Sequence, residues 1–469
     1  MSALPHASKQ AAERMLPLIG QPCRTIGPSW VYSSKTRTLV LRLLQRKLAA
    51  SQWWPAQQLA HHQARKLAAL LAHAERHSPY YRDVSLNTAT CADLDPLRRL
   101  QSLPVLSRHT LQTRYHEICT DWPLAHGAAR EVQTSGSTGQ PVRVKRTALC
   151  QLQWLAATLR DHLWQRRDFN GTLATIRVLP HTADGGARTY PSWGEASDTH
   201  TASGPLHVLP ITTEVHEQAR WLAELDPQYL LSYPSNIVAL LQAMATEGLH
   251  TPQLREIRCF GETITDELRD AVAQLPGVKL TDLYSSHELG VIALQCPVSG
   301  SYHVQAENMI VEVLNDRNLP CAPGEIGRVV ITDLINYATP LIRYELGDYA
   351  EQGAPCRCGR GLPTLKRILG RQRNMIVLPG GGRQWPHVSA SQLRAVLPGL
   401  KQWQLVQREV SRYELRLVLD APATAAQESA LEKLIREALG YPVVLQFEYL
   451  TATMAKSAGG KWEAIVCAV

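Results

Sequence analysis

The chain has 469 residues, 45% of them hydrophobic, and a net charge of +8. That length implies two or three domains. No run reaches the roughly 18 uncharged apolar residues of a membrane helix. Met1 to Gln21 lacks the apolar core of a secretory signal, so the expected location is the cytoplasm. The positive charge suits a protein that handles anions such as nucleotide phosphates. Nucleic acid is disfavoured as a partner, because the basic residues are scattered and not interleaved with aromatics. Ten cysteines in a chain with no secretory signal point to metal binding and free thiols, not to a disulfide scaffold.

The first 77 residues read as a helical extension. Arg37 to Leu48 carries leucines and a valine at helical spacing with basic residues between, and Gln57 to Arg76 continues in the same style. Ser78-Pro79-Tyr80-Tyr81-Arg82 reads as a helix stop, and Leu103-Pro104-Val105-Leu106-Ser107-Arg108 as a turn. Next comes Thr134-Ser135-Gly136-Ser137-Thr138-Gly139-Gln140-Pro141, with Arg143, Lys145 and Arg146 close behind. Its glycines let the backbone approach an anion closely. Successive N–H groups and hydroxyls in such a turn can form an anion-binding nest. No G-x-x-x-x-G-K-[ST] pattern is present, so this is not a Walker loop. The stretch resembles T-S-G-[ST]-T-G-x-P, the phosphate loop of adenylate-forming enzymes. The two earlier segments resemble those that precede this loop in phenylacetate–CoA ligases. The resemblance implies ATP contacts from Thr134, Ser135, Gly136, Ser137, Thr138 and Gly139.

Leu149 to Asp161 reads as a helix and Leu173 to Leu179 as a buried strand. His181 to Gly204, rich in Gly, Ser, Thr and His, reads as a long loop. Its Tyr190 and Trp193 either line a substrate pocket or sit on a plain surface loop. Val208 to Ile211 and Tyr229 to Ser232 read as strands flanking a helix over Glu214 to Leu225. The alternation argues an α/β core with a largely parallel sheet. Tyr233, just past a strand, is a further pocket candidate. Gly261-Glu262 closes another strand before a helix over Asp266 to Gln274, at the edge where α/β sheets bind ligands. In the adenylate-forming family the matching segment packs on adenine.

Asp282-Leu283-Tyr284-Ser285-Ser286-His287-Glu288 resembles the family's D-x-Y-G-x-[ST]-E. The resemblance implies that Tyr284 stacks on adenine and that Glu288 holds Mg²⁺ between phosphates, with Asp282 and Ser285 at the nucleotide. One carboxylate plus phosphates is sufficient for magnesium. Ser285 stands where Gly is usual, and His287 where Thr or Ser is usual. His287 either donates to a phosphate or tunes the acyl pocket. Downstream, Cys296, His303, Cys356 and Cys358 offer the four Cys/His donors of a structural zinc site, though not at the spacing of a standard finger. Buried free thiols are the alternative. Proteins of the phenylacetate–CoA ligase branch can hold zinc with a Cys and His after the Mg²⁺-binding Glu and a later C-x-C-G-R. Zinc over about 296–358 would be structural.

Pro340-Leu341-Ile342-Arg343-Tyr344-Glu345-Leu346-Gly347-Asp348, after a strand over Gly327 to Thr332, resembles P-L-I-R-Y-x-x-[GR]-D. It implies ribose binding by Asp348. Arg367 to Ile376 resembles R-x-x-G-R-x-D-D-x-[IL], the boundary between the family's two domains. Arg371 is then a nucleotide contact, and Arg373 and Asn374 stand at the hinge where acids are usual. The remainder reads as a small α+β unit, with strands over Trp403 to Gln407, Glu414 to Leu419 and Val443 to Tyr449, and a helix over Ala425 to Leu439. Lys456 to Lys461 resembles the terminal [KR]-[ST]-x-x-G-K, which makes Lys461 the lysine that bridges carboxylate and α-phosphate.

The expected fold is therefore α/β. A large N-terminal domain (1–370) with mixed sheets and helices binds ATP and the acid, and a mobile α+β domain (371–469) carries Lys461. The implied activity joins a carboxylic acid to AMP and then transfers the acyl group to CoA, with an aryl or arylacetic acid as the default substrate. A carrier-protein thiol or an amine is the alternative acceptor. A non-catalytic zinc-stapled binding protein is the alternative from another class. Implied cofactors are ATP, Mg²⁺ and structural Zn²⁺, and a homodimer is left open.

Overall fold

The computed structural model describes residues 34–87, 95–133, 141–179, 186–371, 374–384, 390–419, 421–451 and 463–469, with the single residues 386, 388 and 454. Helices over Ser34–Ser51 and Ala56–His77 open the described chain. The second ends at Ser78, and the helix Pro79–Asn87 starts at once, because proline suits a first helical position. The expected helix stop is thus a break between two helices.

Two short strands, β1 (Ala129–Gln133) and β2 (Arg143–Thr147), form an antiparallel pair. The helix Ala148–Trp164 follows. The next twelve strands make one sheet. In chain order they are β3 (Leu173–Arg177), β4 (Arg188–Tyr190), β5 (Leu206–Pro210), β6 (Tyr229–Ser232), β7 (Glu256–Phe260) and β8 (Lys279–Ser286). Then come β9 (Gly290–Gln295), β10 (Tyr302–Val304), β11 (Met309–Leu314), β12 (Ile326–Asp333), β13 (Tyr344–Gln352) and β14 (Thr364–Arg371). The spatial order is β11-β12-β13-β14-β10-β9-β8-β7-β6-β3-β5-β4.

Only β5, β3, β6, β7 and β8 run parallel. The other half is antiparallel, so the sheet is mixed and not largely parallel. The parallel strands are joined through helices such as Val215–Leu225 and Pro234–Glu247. The latter has proline at its first turn and ends at Gly248 with φ +64. The antiparallel strands are joined without intervening helices among the described residues, and their β-branched residues pack into the core.

A second unit begins after β14. It holds a two-stranded ribbon, β15 (Ile376–Val377) with β16 (Arg383–Gln384), and a four-stranded sheet. That sheet contains β17 (Gln402–Glu409), β18 (Arg412–Val418), β19 (Val444–Leu450) and β20 (Ile465–Cys467), in the order β19-β18-β17-β20. The helix Ala425–Leu439 lies where its periodicity placed it, started by a Thr424–Gln427 capping box and closed by Gly440. Ile376, Leu393, Leu405, Tyr413, Leu415, Leu431 and Ile435 form a core of their own. An ion pair between Arg394 and Glu267 joins this unit to the helix Asp266–Ala273 of the larger one. No helix among the described residues is long and apolar enough to cross a membrane.

Candidate active site

The candidate residues gather where β6, β7 and β8 end, the edge at which parallel α/β sheets take ligands. At the end of β7 the chain turns through Gly261 with φ +79, a conformation that side chains other than glycine's rarely adopt. The carboxylate of Glu262 then accepts from Ser235 N at 2.9 Å and Ser235 Oγ at 3.1 Å. An acid there satisfies the open first turn of the helix Pro234–Glu247 and complements its dipole. The Glu262 side chain therefore organises the edge, while the Gly261–Glu262 backbone lines it. Tyr233 packs on Phe260 with ring centroids 4.5 Å apart, and burial pushes its hydroxyl pKa up.

Tyr284 lies near the end of β8 and donates to Asp348 Oδ2 at 2.9 Å. Asp348 sits on β13 in register with Arg371 on β14. Two motifs 64 residues apart thus meet across three intervening strands. After β8 the chain reverses through Ser286, His287 and Glu288 into β9, and Leu289 N donates to Ser286 Oγ at 3.1 Å. Ser285 is half-buried, His287 exposed and Glu288 buried. Glu288 Oε1 lies 3.7 Å from Arg108 Nη1.

Sequence reasoning passed over Arg108, although its segment was singled out. The reason it arrives here lies in the fold. Leu106 bridges to Tyr344, with Leu106 N donating to the Arg343 carbonyl. Arg343 has φ +51, pairs with Glu312 and donates to the Leu103 and Gln101 carbonyls. The segment around Leu106 is thereby clamped against the motif that carries Asp348. The signal in the sequence was the pair of conspicuous segments; their contact was not readable from either one.

Asp282 does not face the ligand edge. It is buried, accepts from Tyr302 Oη at 2.7 Å and takes the backbone N–H of Leu283. Burial pushes its pKa up to about 6, against the opposing pull of those hydrogen bonds. A raised carboxyl means that the folded protein holds the proton more tightly than the unfolded chain. This group therefore withdraws stability as pH rises from about 4 to about 6. Tyr302→Phe should cost about 1.5–3 kcal/mol in thermal unfolding at pH 7, because it strips a charged oxygen of its donor. It should leave the KM for ATP unchanged; a large rise in that KM would place Asp282 at the nucleotide after all.

Tyr190 and Trp193 are not brought to this edge. Trp193 is buried, donates through Nε1 to the Gly171 carbonyl at 2.9 Å and packs on Tyr229, Phe169 and His162. Gly171 precedes β3 and Tyr229 opens β6, so Trp193 lies at the other end of the parallel strands. Tyr190 pairs with Leu206, the first residue of β5, and is 43% exposed. The segment read as one long loop carries β4 and the short helix Glu195–Asp198.

Cys296, His303, Cys356 and Cys358 converge, with their donor atoms all within 4.8 Å of one another. Cys356 Sγ and Cys296 Sγ are 3.7 Å apart. That separation matches two corners of a tetrahedron with arms of about 2.3 Å, the zinc–sulfur length. His303 Nε2 is 3.2 Å from Cys358 Sγ, while its Nδ1 lies 3.3 Å from the Leu362 carbonyl. Such a second partner orients a ligating imidazole and fixes its tautomer. Burial lowers the pKa of His303 to about 4, so the imidazole is neutral at pH 7.

The stretch Thr134 to Gly139, Arg373 and Lys461 lie outside the described residues, as does the side chain of Arg371. Asn374 opens the second unit just after β14 and is half-buried.

No protein-family model matches the chain. It is 25% identical over 390 residues to a phenylacetate-coenzyme A ligase of Thermus thermophilus, covering 78% of this chain and 83% of that protein. A phenylacetate-coenzyme A ligase of Pseudomonas putida is 25% identical over 347 residues, covering 69% and 72%. Among solved structures, a 2-hydroxyisobutyryl-CoA ligase bound to an acyl-adenylate in its postadenylation state superposes with a TM-score of 0.65. It is 18% identical and covers 88% of this chain and 90% of its own. An anthranilate CoA ligase with anthranoyl-AMP gives a TM-score of 0.50 at 14% identity, over 70% and 64% of the two chains. The chain thus resembles the phenylacetate–CoA ligases in sequence, and its fold is that of the adenylate-forming ligases.

Proposed function

We propose that the protein is an ATP-dependent acid–thiol ligase. In the first step a carboxylate oxygen of the substrate attacks the α-phosphorus of ATP. The bond to the bridging oxygen breaks, and pyrophosphate leaves with its electron pair. In the second step a thiolate, that of CoA, attacks the acyl carbonyl and AMP departs. Catalysis of such transfers is mostly positioning and charge neutralisation.

The observation that carries this reading is the Tyr284–Asp348 hydrogen bond, with Glu288 four residues further along the same chain turn. It joins the aromatic residue, the acid and the carboxylate that a nucleotide needs at a ligand-binding sheet edge. Asp348 would take the ribose hydroxyls and Tyr284 the adenine face. Glu288 would hold Mg²⁺, which neutralises phosphate charge when bound. Arg108 supplies a fixed cation at the same place. The Thr134–Gly139 stretch would close on the phosphates, and Arg371 would contact them from the junction. The small unit from residue 371 onward would act as a mobile domain about Arg373 and Asn374. Tyr233 and His287 remain the proposed pocket residues.

Relatives acting on phenylacetate and anthranilate support an aryl or arylacetic acid as substrate. Hydroxylamine trapping across a panel of aliphatic, aryl and arylacetic acids would identify the acid as its hydroxamate. ATP–pyrophosphate exchange with any of them supports the adenylation step; no exchange with any would favour a non-catalytic binding protein. Thioester formation with CoA then separates CoA from a carrier-protein or amine acceptor. Asp348→Ala should raise the KM for ATP about tenfold with little change in kcat, because ribose hydrogen bonds are made in ground and transition states alike. An unchanged KM would remove Asp348 from the nucleotide site.

A further inference from the structure

Arg146 is buried, and its guanidinium reaches a turn of the candidate site 141 positions further along the chain. It stands on β2, which is tied to the segment after β12. Lys145 N donates to Thr339 Oγ1 at 3.0 Å, and Asn336 Nδ2 donates to the Lys145 carbonyl at 3.0 Å. From this fixed base Arg146 Nη1 donates to the carbonyl of His287 at 3.3 Å, the residue directly before Glu288. On the other side of the turn, Gly290 has φ +89, and a Cβ there would stand 2.9 Å from Arg146 Nη2. Gly290 thus serves the reversal and leaves the space that the guanidinium fills. Asp333, wholly buried, feels the charge of the same guanidinium. Burial pushes the Asp333 carboxyl up in pKa, and Arg146 is the foremost charge drawing it back.

We propose that Arg146 is a positioning residue for Glu288. It ties the Ser286–Gly290 turn to β2, so that the Glu288 carboxylate is presented to the nucleotide's magnesium at a fixed place. Arg146 itself touches no substrate. The geometry favours this over a plain core role. A guanidinium that merely balanced Asp333 would have no need of the His287 carbonyl. The proposal rests on the reading of Glu288 as the magnesium ligand.

The test compares wild type, Arg146→Lys and Arg146→Ala. Binding of a fluorescent ATP analogue is titrated with Mg²⁺, and ATP–pyrophosphate exchange and melting temperature are measured alongside. The half-saturating Mg²⁺ concentration should rise about tenfold in Arg146→Ala and about threefold in Arg146→Lys, which keeps the charge but loses the fork. The KM for the acid and the metal-free binding of nucleotide should stay at wild-type values. A residue of structural role alone would lower the melting temperature and move every constant together, and that result overturns the proposal. If Arg146→Ala does not fold, Arg146→Lys decides: a wild-type Mg²⁺ requirement in it refutes the positioning role. If wild type binds nucleotide and both variants match it, only the role of Arg146 fails. If wild type binds no nucleotide, the reading of the site fails, and the proposal with it.

Discussion

Purified protein is expected to carry about one zinc ion per chain, and Cys356→Ser is expected to remove it together with several kcal/mol of stability. The donor set is complete, three sulfurs and one oriented imidazole nitrogen, and the spacing of the sulfurs fits a tetrahedral ion. The effect should spread beyond the four ligands because of what the metal loop holds. Gly361 N donates to the Gln52 carbonyl, and Arg360 Nε donates to Gln52 Oε1 at 3.0 Å. The Arg360 guanidinium also lies over the rings of Trp53 and Trp164, at 5.2 and 4.2 Å from their centroids. Loosening the loop therefore loosens the junction of the first two helices as well. A fall of about 5–10 °C in melting temperature is the expected size for a loss of a few kcal/mol in a chain this large. Metal analysis and calorimetry on wild type and Cys356→Ser check both halves. Native protein without zinc, or a variant that melts with wild type, would leave the cluster as four neighbouring side chains with no ion to hold.

Three strands and one helix of the second unit were legible because each carries a clean period, whereas the short ribbon Ile376–Val377 with Arg383–Gln384, the helix Ala390–Val396 and β20 are too short to show one. Ala425–Leu439 coincides with its sequence reading, while Gln402–Glu409 and Arg412–Val418 differ from theirs by one to two residues at each end. The motifs that resemble nucleotide-binding ones stand out because several occur in one order along the chain. What stayed hidden depends on direction and depth. Asp282 sits in the same motif as Tyr284 but two residues, or about 7 Å, further from the strand end. That shift puts it under the Tyr302 hydroxyl and buries it. Glu262 has the right place, yet its carboxylate caps a helix whose first turn no local pattern announces as open. Trp193, which the sequence leaves open between a pocket and a surface loop, is buried away from the ligand edge for a topological reason. After β3 the chain must return to the start of β5, and β4 runs antiparallel to β5, so by residue 193 it has already crossed to the far end of the sheet. Arg108 and Arg146 act through contacts with residues more than a hundred positions away, which no window on the sequence contains.

Lys461→Ala should slow adenylation by about a hundredfold to a thousandfold while leaving acyl transfer from a chemically supplied adenylate intact. The proposed reason is that a compact ammonium is aimed at charge that develops on the α-phosphate and carboxylate only as they react. Losing such a contact costs a few kcal/mol of barrier, about 1.4 kcal/mol for each tenfold in rate. Lys461 lies outside the described residues, but β20 starts four positions later and pairs in parallel with β17. The end of the chain is thus anchored on the small unit's own sheet, and a lysine just before it would travel with that unit. The Arg394–Glu267 ion pair shows one docked arrangement of the unit on the helix Asp266–Ala273. Transfer to a thiol would require a second arrangement, reached by turning about Arg373 and Asn374. Arg373→Pro should therefore do the opposite of Lys461→Ala, because proline fixes φ at the pivot. Adenylate should still form and be trapped by hydroxylamine, and thioester should not appear. Rapid-quench measurement of the two half-reactions separates the variants. Wild-type adenylation in Lys461→Ala would mean that another group meets the phosphate. Normal thioester formation in Arg373→Pro would mean that the small unit completes both steps without turning at that position.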